Sequence, residues 1–327
     1  MRARAHSLKI GNIEVSVGEK VVSTLKVAER SISPIEVPIT IINGSKDGPV
    51  LCVIAGEHGN EYAGIEACIR LSRDLSPQDL AGTLILVPIV NVPGFQERSP
   101  YLNPIDRVNI SNVWPGKPNG SITEIMAYNV FRNVIAKSNY LIRLHGGDIC
   151  ESMIPCVYYS ALKKDNVDKM AKELATIFGM EYVVEYSPPP KLHVAAGKLG
   201  VPTILPEAGH EGKLQEKDVK LLYRGVLNVM MYIGMIPGKP EIKTKPKIID
   251  GNKIVYVTSK TCGLFYSHVE VGDIVNKGDI IGEIKNIKGE CLNKIIAPID
   301  GKIFFKYNSL PWDPTLGWFL FQIVKEP

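Results

Sequence analysis

Several absences narrow what this 327-residue chain can be. It contains no run of 18 or more apolar residues, so no membrane-spanning helix is expected. Its first eight residues lack the apolar core of a signal peptide. Charge of one sign is scarce: 38 Lys and Arg stand against 34 Asp and Glu, a net of +4, with no basic run interleaved with aromatics. Nucleic acid is therefore not an expected partner. The six cysteines (Cys52, Cys68, Cys150, Cys156, Cys262 and Cys291) form no Cys-x-x-Cys pair. Most of them read as buried free thiols, which fits a reducing, cytoplasmic setting. Cys150 follows a histidine segment closely and has the mouth of a site as its alternative placement.

What is present is ordinary globular composition, 45% hydrophobic and 22% charged, in a chain long enough for more than one domain. Strand-like runs at 49–55, 83–90, 140–144 and 201–205 alternate with helical patterns at 63–75, 121–136, 164–178 and 216–233. Thr123 is the expected N-cap of the 121–136 helix. This alternation predicts an α/β layer architecture with helices on both faces of the sheet. The strand-rich runs 9–17 and 35–42 would add antiparallel edges. A Pro/Gly/Lys stretch to Pro246 reads as a linker, so the chain divides into a catalytic domain, 1–238, and a C-terminal domain, 239–327. The latter has short strands between Gly-Asp and Lys-Gly turns and is expected to be all-β. The runs 269–279 and 297–301 resemble the lipoyl/biotinyl pattern, which implies a barrel-sandwich. The lysine at the corresponding turn, Lys288, reads as a solvated turn residue, and the domain as structural or a lid.

The chemistry concentrates at strand ends. Residues 56–61 read Gly-Glu-His-Gly-Asn-Glu, directly after the apolar run at 49–53. This places His58 and Glu61 on a strand-to-helix turn, where an imidazole and a carboxylate can reach one metal ion. The bland reading of His-x-x-Glu alone is a polar turn without metal. Zinc accepts such ligands, and a catalytic site needs three from the protein. His145 offers the third, because it follows an apolar strand and precedes Gly146 and Gly147. A hydrolase of this kind also needs an acid that is not consumed as a ligand, to move the proton of the attacking water. Glu207 ends another apolar run; Glu211 is the alternative further along. Arg98, or second Arg107, could stabilise an oxyanion. The remaining histidines are weaker candidates: His6 is terminal, His193 and His210 fall in expected loops, and His268 lies in the β domain.

Six segments recur in a fixed order: 56–61, 91–95 (Asn-Val-Pro-Gly-Phe), 104–116, 120–124, 144–148 (Leu-His-Gly-Gly-Asp) and 206–209 (Pro-Glu-Ala-Gly). Together they resemble the succinylglutamate desuccinylase/aspartoacylase family, deacylases of the zinc carboxypeptidase clan. The resemblance implies a three-layer α/β/α domain with a mixed sheet. It also implies one Zn2+ per chain, held by His58, Glu61 and His145, with Glu207 as general base towards a metal-held water. The reaction implied is hydrolysis of the amide bond of a small N-acylated, amino-acid-like substrate. The family's C-terminal domain implies a narrowed entrance, with 265–270 or 307–312 as gates.

Two departures limit that inheritance. The family's Asn-Arg pair, which binds a substrate carboxylate, is replaced by Ser111 and Asn112 after Asn109. Neither can reproduce a guanidinium clamp. The acid two residues before the histidine is replaced by Arg143. In an extended strand Arg143 and His145 share a face, so Arg143 could read an anionic group instead. Asn109, Ser111, Asn112 and Arg143 are thus the expected substrate-binding residues. A metallocarboxypeptidase on short peptides, or an inactive metal- or ligand-binding homologue, is the competing reading. The sequence leaves room for a homo-oligomer.

Overall fold

Apolar runs that alternate with amphipathic helices assemble into one nine-stranded mixed sheet in the computed structural model, which describes residues 7–243, 245–316 and 319–325. His6 lies outside the described residues. Counting only this sheet, the strands are β1 (Glu19–Ala28), β2 (Ile35–Asn43), β3 (Lys46–Ile54), β4 (Ala81–Val87), β5 (Tyr140–Arg143), β6 (Cys156–Tyr159), β7 (Tyr182–Glu185), β8 (Thr203–Glu207) and β9 (Lys247–Asp250). Their order is β9-β7-β6-β8-β5-β3-β4-β2-β1. β8, β5, β3 and β4 run parallel to one another, while β1 and β2 form an antiparallel edge; of the two runs expected there only 35–42 takes part, since the 9–17 run folds into a separate hairpin of Ser7–Ile10 and Ile13–Ser16.

Six helices cover the sheet: α1 (Tyr62–Asp74), α2 (Val92–Glu97), α3 (Ile122–Asn133), α4 (Asp165–Ile177), α5 (Lys191–Lys198) and α6 (Glu216–Tyr232). Alternate residues of the central strands serve opposite faces. Leu51, Val53, Leu84 and Leu86 pack with α1, α4 and α6, whereas Cys52, Ile54, Ile85 and Val87 pack with α3 and α5. These strands read as unbroken apolar runs because both faces are buried. Ser121, rather than Thr123, caps α3 through a reciprocal box with Glu124. Thr123 instead bonds Asp106 and fastens the preceding loop to the helix. His193, expected in a loop, lies on α5, fully buried, with Nδ1 2.9 Å from Ser160 Oγ.

The C-terminal residues form two sheets around a common core that includes Phe265, Ile284, Ile303, Phe305 and Phe321. One contains Ile254–Val257, Phe321–Val324, Gly301–Tyr307 and Ile274–Val275; the other contains Cys291–Ile296, Ile280–Lys285, Gly263–Ser267 and Pro311–Trp312. No closed barrel is seen among the described residues. Lys288 sits exposed in the turn between two of these strands. The two parts of the chain interlock. β9, past the Pro/Gly/Lys stretch, extends the large sheet through β7. In return, Glu151–Met153 pairs antiparallel with Gly301–Tyr307, placing Met153 opposite Phe305. Among the described residues, no helix is long and apolar enough to cross a membrane.

Candidate active site

Three adjacent parallel strands, β3, β5 and β8, end at the same edge of the sheet, the position where open α/β sheets bind ligands. His58 and Glu61 follow β3, His145 lies two residues past β5, and Glu207 is the last residue of β8. A parallel bridge between His145 and Glu207 continues the pairing of β5 and β8, so the two side chains start from a common rigid edge. Glu61 occupies the N-cap position of α1 but makes no side-chain cap bond. Its carboxylate turns to the histidines instead. Gly59 has no room for a side chain: a Cβ there would lie 2.3 Å from Phe95 N. The turn between His58 and Glu61 can therefore close against α2 only with glycine at this place.

The three expected ligands do come together. One donor atom from each of His58, Glu61 and His145 lies within 4.8 Å of the other two. His58 Nδ1 is 2.5 Å from Glu61 Oε1, and His145 Nδ1 is 3.0 Å from Glu61 Oε2. Glu61 Oε2 is buried yet accepts no aligned hydrogen bond. Donor atoms that converge on one point in this way suit a shared cation, and two imidazoles with one carboxylate suit zinc. Burial disfavours both imidazolium forms, but the Glu61 carboxylate outweighs it for His58, and Glu61 with Glu57 pushes His145 up to about 10.

A cavity of about 160 Å3 opens over this cluster. The catalytic half lines it with Tyr101, Glu151, Tyr158, Tyr186 and Glu207, and the C-terminal half with Tyr256, Phe305, Phe319 and Gln322. Neither 265–270 nor 307–312 contributes, so the wall facing the site comes from other strands of that domain. Burial pushes the Glu207 carboxyl up to about 8; His145 opposes the shift, and Glu61 and Glu151 add to it. Burial also lifts Glu151 to about 7. Glu207 Oε2 and Gln322 Oε1 are buried without a hydrogen-bond partner. A larger cleft of about 680 Å3 runs beside β9 and touches none of the candidate residues.

The expected substrate-binding residues separate. Asn109 Oδ1 lies 3.3 Å from His58 Nε2, behind the ligand cluster. Ser111 and Arg143 both end on Glu57, a residue inside the 56–61 motif that has no role in the expectations above. Ser111 Oγ donates to Glu57 Oε2 at 2.8 Å, and Arg143 donates to both carboxylate oxygens at 2.8 and 2.9 Å. Asn112 is exposed and outside the cavity lining. So are Arg98, the left-handed C-cap of α2, and Arg107. The structure brings neither arginine to the cluster: Arg98 closes α2 and Arg107 lies in the loop beyond it, both on the surface. Glu211 also stands apart, paired with Lys213.

Residues 47–233, more than half of the chain, match the succinylglutamate desuccinylase/aspartoacylase catalytic domain. The chain belongs to the succinylglutamate desuccinylase/aspartoacylase family. It is 28% identical over 261 residues to the N-alpha-acetyl-L-2,4-diaminobutyric acid deacetylase of Halomonas elongata, covering 78% of this chain and 76% of that one. The fold is that of a succinylglutamate desuccinylase/aspartoacylase from Rhodobacter sphaeroides, with a TM-score of 0.86 at 21% identity over 99% and 100% of the two chains. It also matches the product-bound ectoine utilization protein EutE (DoeB) from Ruegeria pomeroyi, with a TM-score of 0.84 at 22% identity over 95% and 97%. Within this desuccinylase/aspartoacylase frame, the departures at 111 and 143 meet at one carboxylate. A signal for this existed in the sequence: Glu57 and Arg143 are opposite charges at the ends of two apolar strands.

Proposed function

We propose that this chain hydrolyses the amide bond of a small N-acylated amine or amino acid, with zinc held by His58, Glu61 and His145. The observation that carries the reading is a further acid, Glu207, which faces the same cavity beside the three-ligand cluster and keeps Oε2 buried. A binding protein has no use for a carboxyl beside the ligand cluster that is not consumed as a ligand. When bound, the ion supplies Lewis acidity that polarises a carbonyl and acidifies water. Glu207 takes the proton of the attacking water and returns it to the leaving nitrogen. Water adds across the C–N bond, giving a carboxylate and an amine. Tyr158, Tyr186, Phe305 and Phe319 wall the cavity and limit its water.

The cavity size and lining favour a short acyl group. Among the described residues the lining contains no Lys or Arg to pair with the free carboxylate of a succinyl group or a peptide C-terminus. The deacetylase relative supports an acetyl amide of a diamino acid as the first substrate to try. The test is a panel of N-acetyl, N-formyl and N-succinyl derivatives of diamino and monoamino acids, assayed with zinc supplied. Preferential hydrolysis of a short-acyl derivative is expected. Turnover confined to succinyl derivatives or to peptides would reject this reading.

A further inference from the structure

Behind His145 lies a polar cluster that touches no part of the cavity. Glu57 is fully buried, and its carboxylate meets five donors. Oε1 receives Arg143 Nε at 2.8 Å and lies 3.2 Å from His145 Nε2. Oε2 receives Arg143 Nη2 at 2.9 Å, Ser111 Oγ at 2.8 Å and Trp114 Nε1 at 2.8 Å. The bidentate guanidinium fixes the plane of the carboxylate, and Ser111 and Trp114 close its remaining side. Arg143 and His145 share this face because both project from the end of β5.

An imidazole with one nitrogen on a fixed carboxylate has little choice of tautomer. With Nε2 donating to Glu57, Nδ1, 3.0 Å from Glu61 Oε2, is the nitrogen that would give up its proton to a cation at the shared point between the ligands. His58 is held differently, since Nε2 meets only neutral groups, Asn109 Oδ1 at 3.3 Å and Ser111 Oγ at 3.4 Å. We infer that Glu57, clamped by Arg143, Ser111 and Trp114, is the positioning residue that orients His145 and strengthens it as a metal ligand. Arg143 is then the counter-charge that makes a buried Glu57 tolerable. The inference rests on the metal centre proposed above.

The experiment is a chelator-competition titration of Zn2+ on the full chain, paired with thermal melts of the metal-free protein. Glu57→Gln is expected to weaken zinc binding about 10–100-fold. Glu57→Gln alone strands a buried guanidinium, so folding is a second variable. The double variant Glu57→Gln/Arg143→Met removes both charges, and its melting temperature is expected to return close to wild type. Its zinc affinity is expected to stay low. If affinity recovers together with stability, Glu57 only supports the fold and the inference is overturned. Wild-type protein that takes up zinc equally to both variants overturns the inference while leaving the metal centre intact. Wild-type protein that takes up no zinc overturns both.

Discussion

Replacing Arg143 by methionine separates two accounts of this residue. Arg143 is 1% exposed, and its Nε and Nη2 are both committed to Glu57. The substitution leaves Glu57 buried and charged, with Ser111, Trp114 and His145 as its remaining donors. Breaking a buried pair from one side costs about 3–5 kcal/mol. At about 1.5 °C per kcal/mol for a chain of this size, the melting temperature should fall by about 4–8 °C. A guanidinium that instead read a substrate anion would have to act through Nη1, the atom without a partner. The assay is thermal unfolding together with kcat/KM on N-acetyl and N-succinyl derivatives of one amine. A large drop in melting temperature with proportional losses on both substrates is expected. An unchanged melt, with the loss confined to the anionic acyl group, would refute the structural role of Arg143.

Three further outcomes follow from the geometry. Glu207→Gln should retain zinc, measured by metal analysis, and lower kcat by about 10²–10⁴-fold, the usual contribution of a positioned acid–base group; full activity would remove Glu207 from the mechanism. Gly59→Ala pushes a Cβ against Phe95 N and should destabilise the chain by about 1–3 kcal/mol while weakening zinc binding, since the turn carrying His58 and Glu61 must move; a chemical-denaturation midpoint equal to wild type would contradict this packing of the turn on α2. The metal-free protein should lose stability from pH 6 to 9. His145, raised to about 10, contributes stability that is full below its unfolded value and fades towards 10. Glu207, raised to about 8, holds its proton in the folded chain where the unfolded chain has lost it, so stability falls between the ordinary carboxyl range and 8. Zinc displaces such protons, and its stabilising effect should grow over the same interval. A melting temperature of the metal-free protein that rises through this range would show the signs to be wrong.

The strands that carry the ligands were legible because their sequences are extreme. β3 and β4 are apolar on both faces and end in glycine or asparagine turns, so period and punctuation agree. β6 and β7 are four residues each, too short for periodicity, and α5 is an eight-residue helix after three prolines. Those elements escape a reading by pattern, and with them the place of His193. The N-cap of α3 shifts from Thr123 to Ser121 because the Thr123 hydroxyl is drawn to Asp106, a contact between segments 17 residues apart. His58, Glu61, His145 and Glu207 are legible because each lies at, or in the turn just after, the end of an apolar strand. Glu57 and Arg143 read as separate residues, since their 86-residue separation hides a pairing that only strand adjacency creates. The aromatic wall from Tyr256, Phe305 and Phe319 is unreadable for the same reason: it depends on Glu151–Met153 joining the C-terminal sheet.

The central claim, a catalytic zinc on His58, Glu61 and His145, is tested most directly by metal analysis of the purified protein before and after chelation, alongside His145→Ala. One zinc per chain is expected, lost on chelation together with amide hydrolysis, restored with it on adding zinc, and absent from the variant. Hydrolysis that persists in the stripped protein, or a full complement of zinc in His145→Ala, would contradict it.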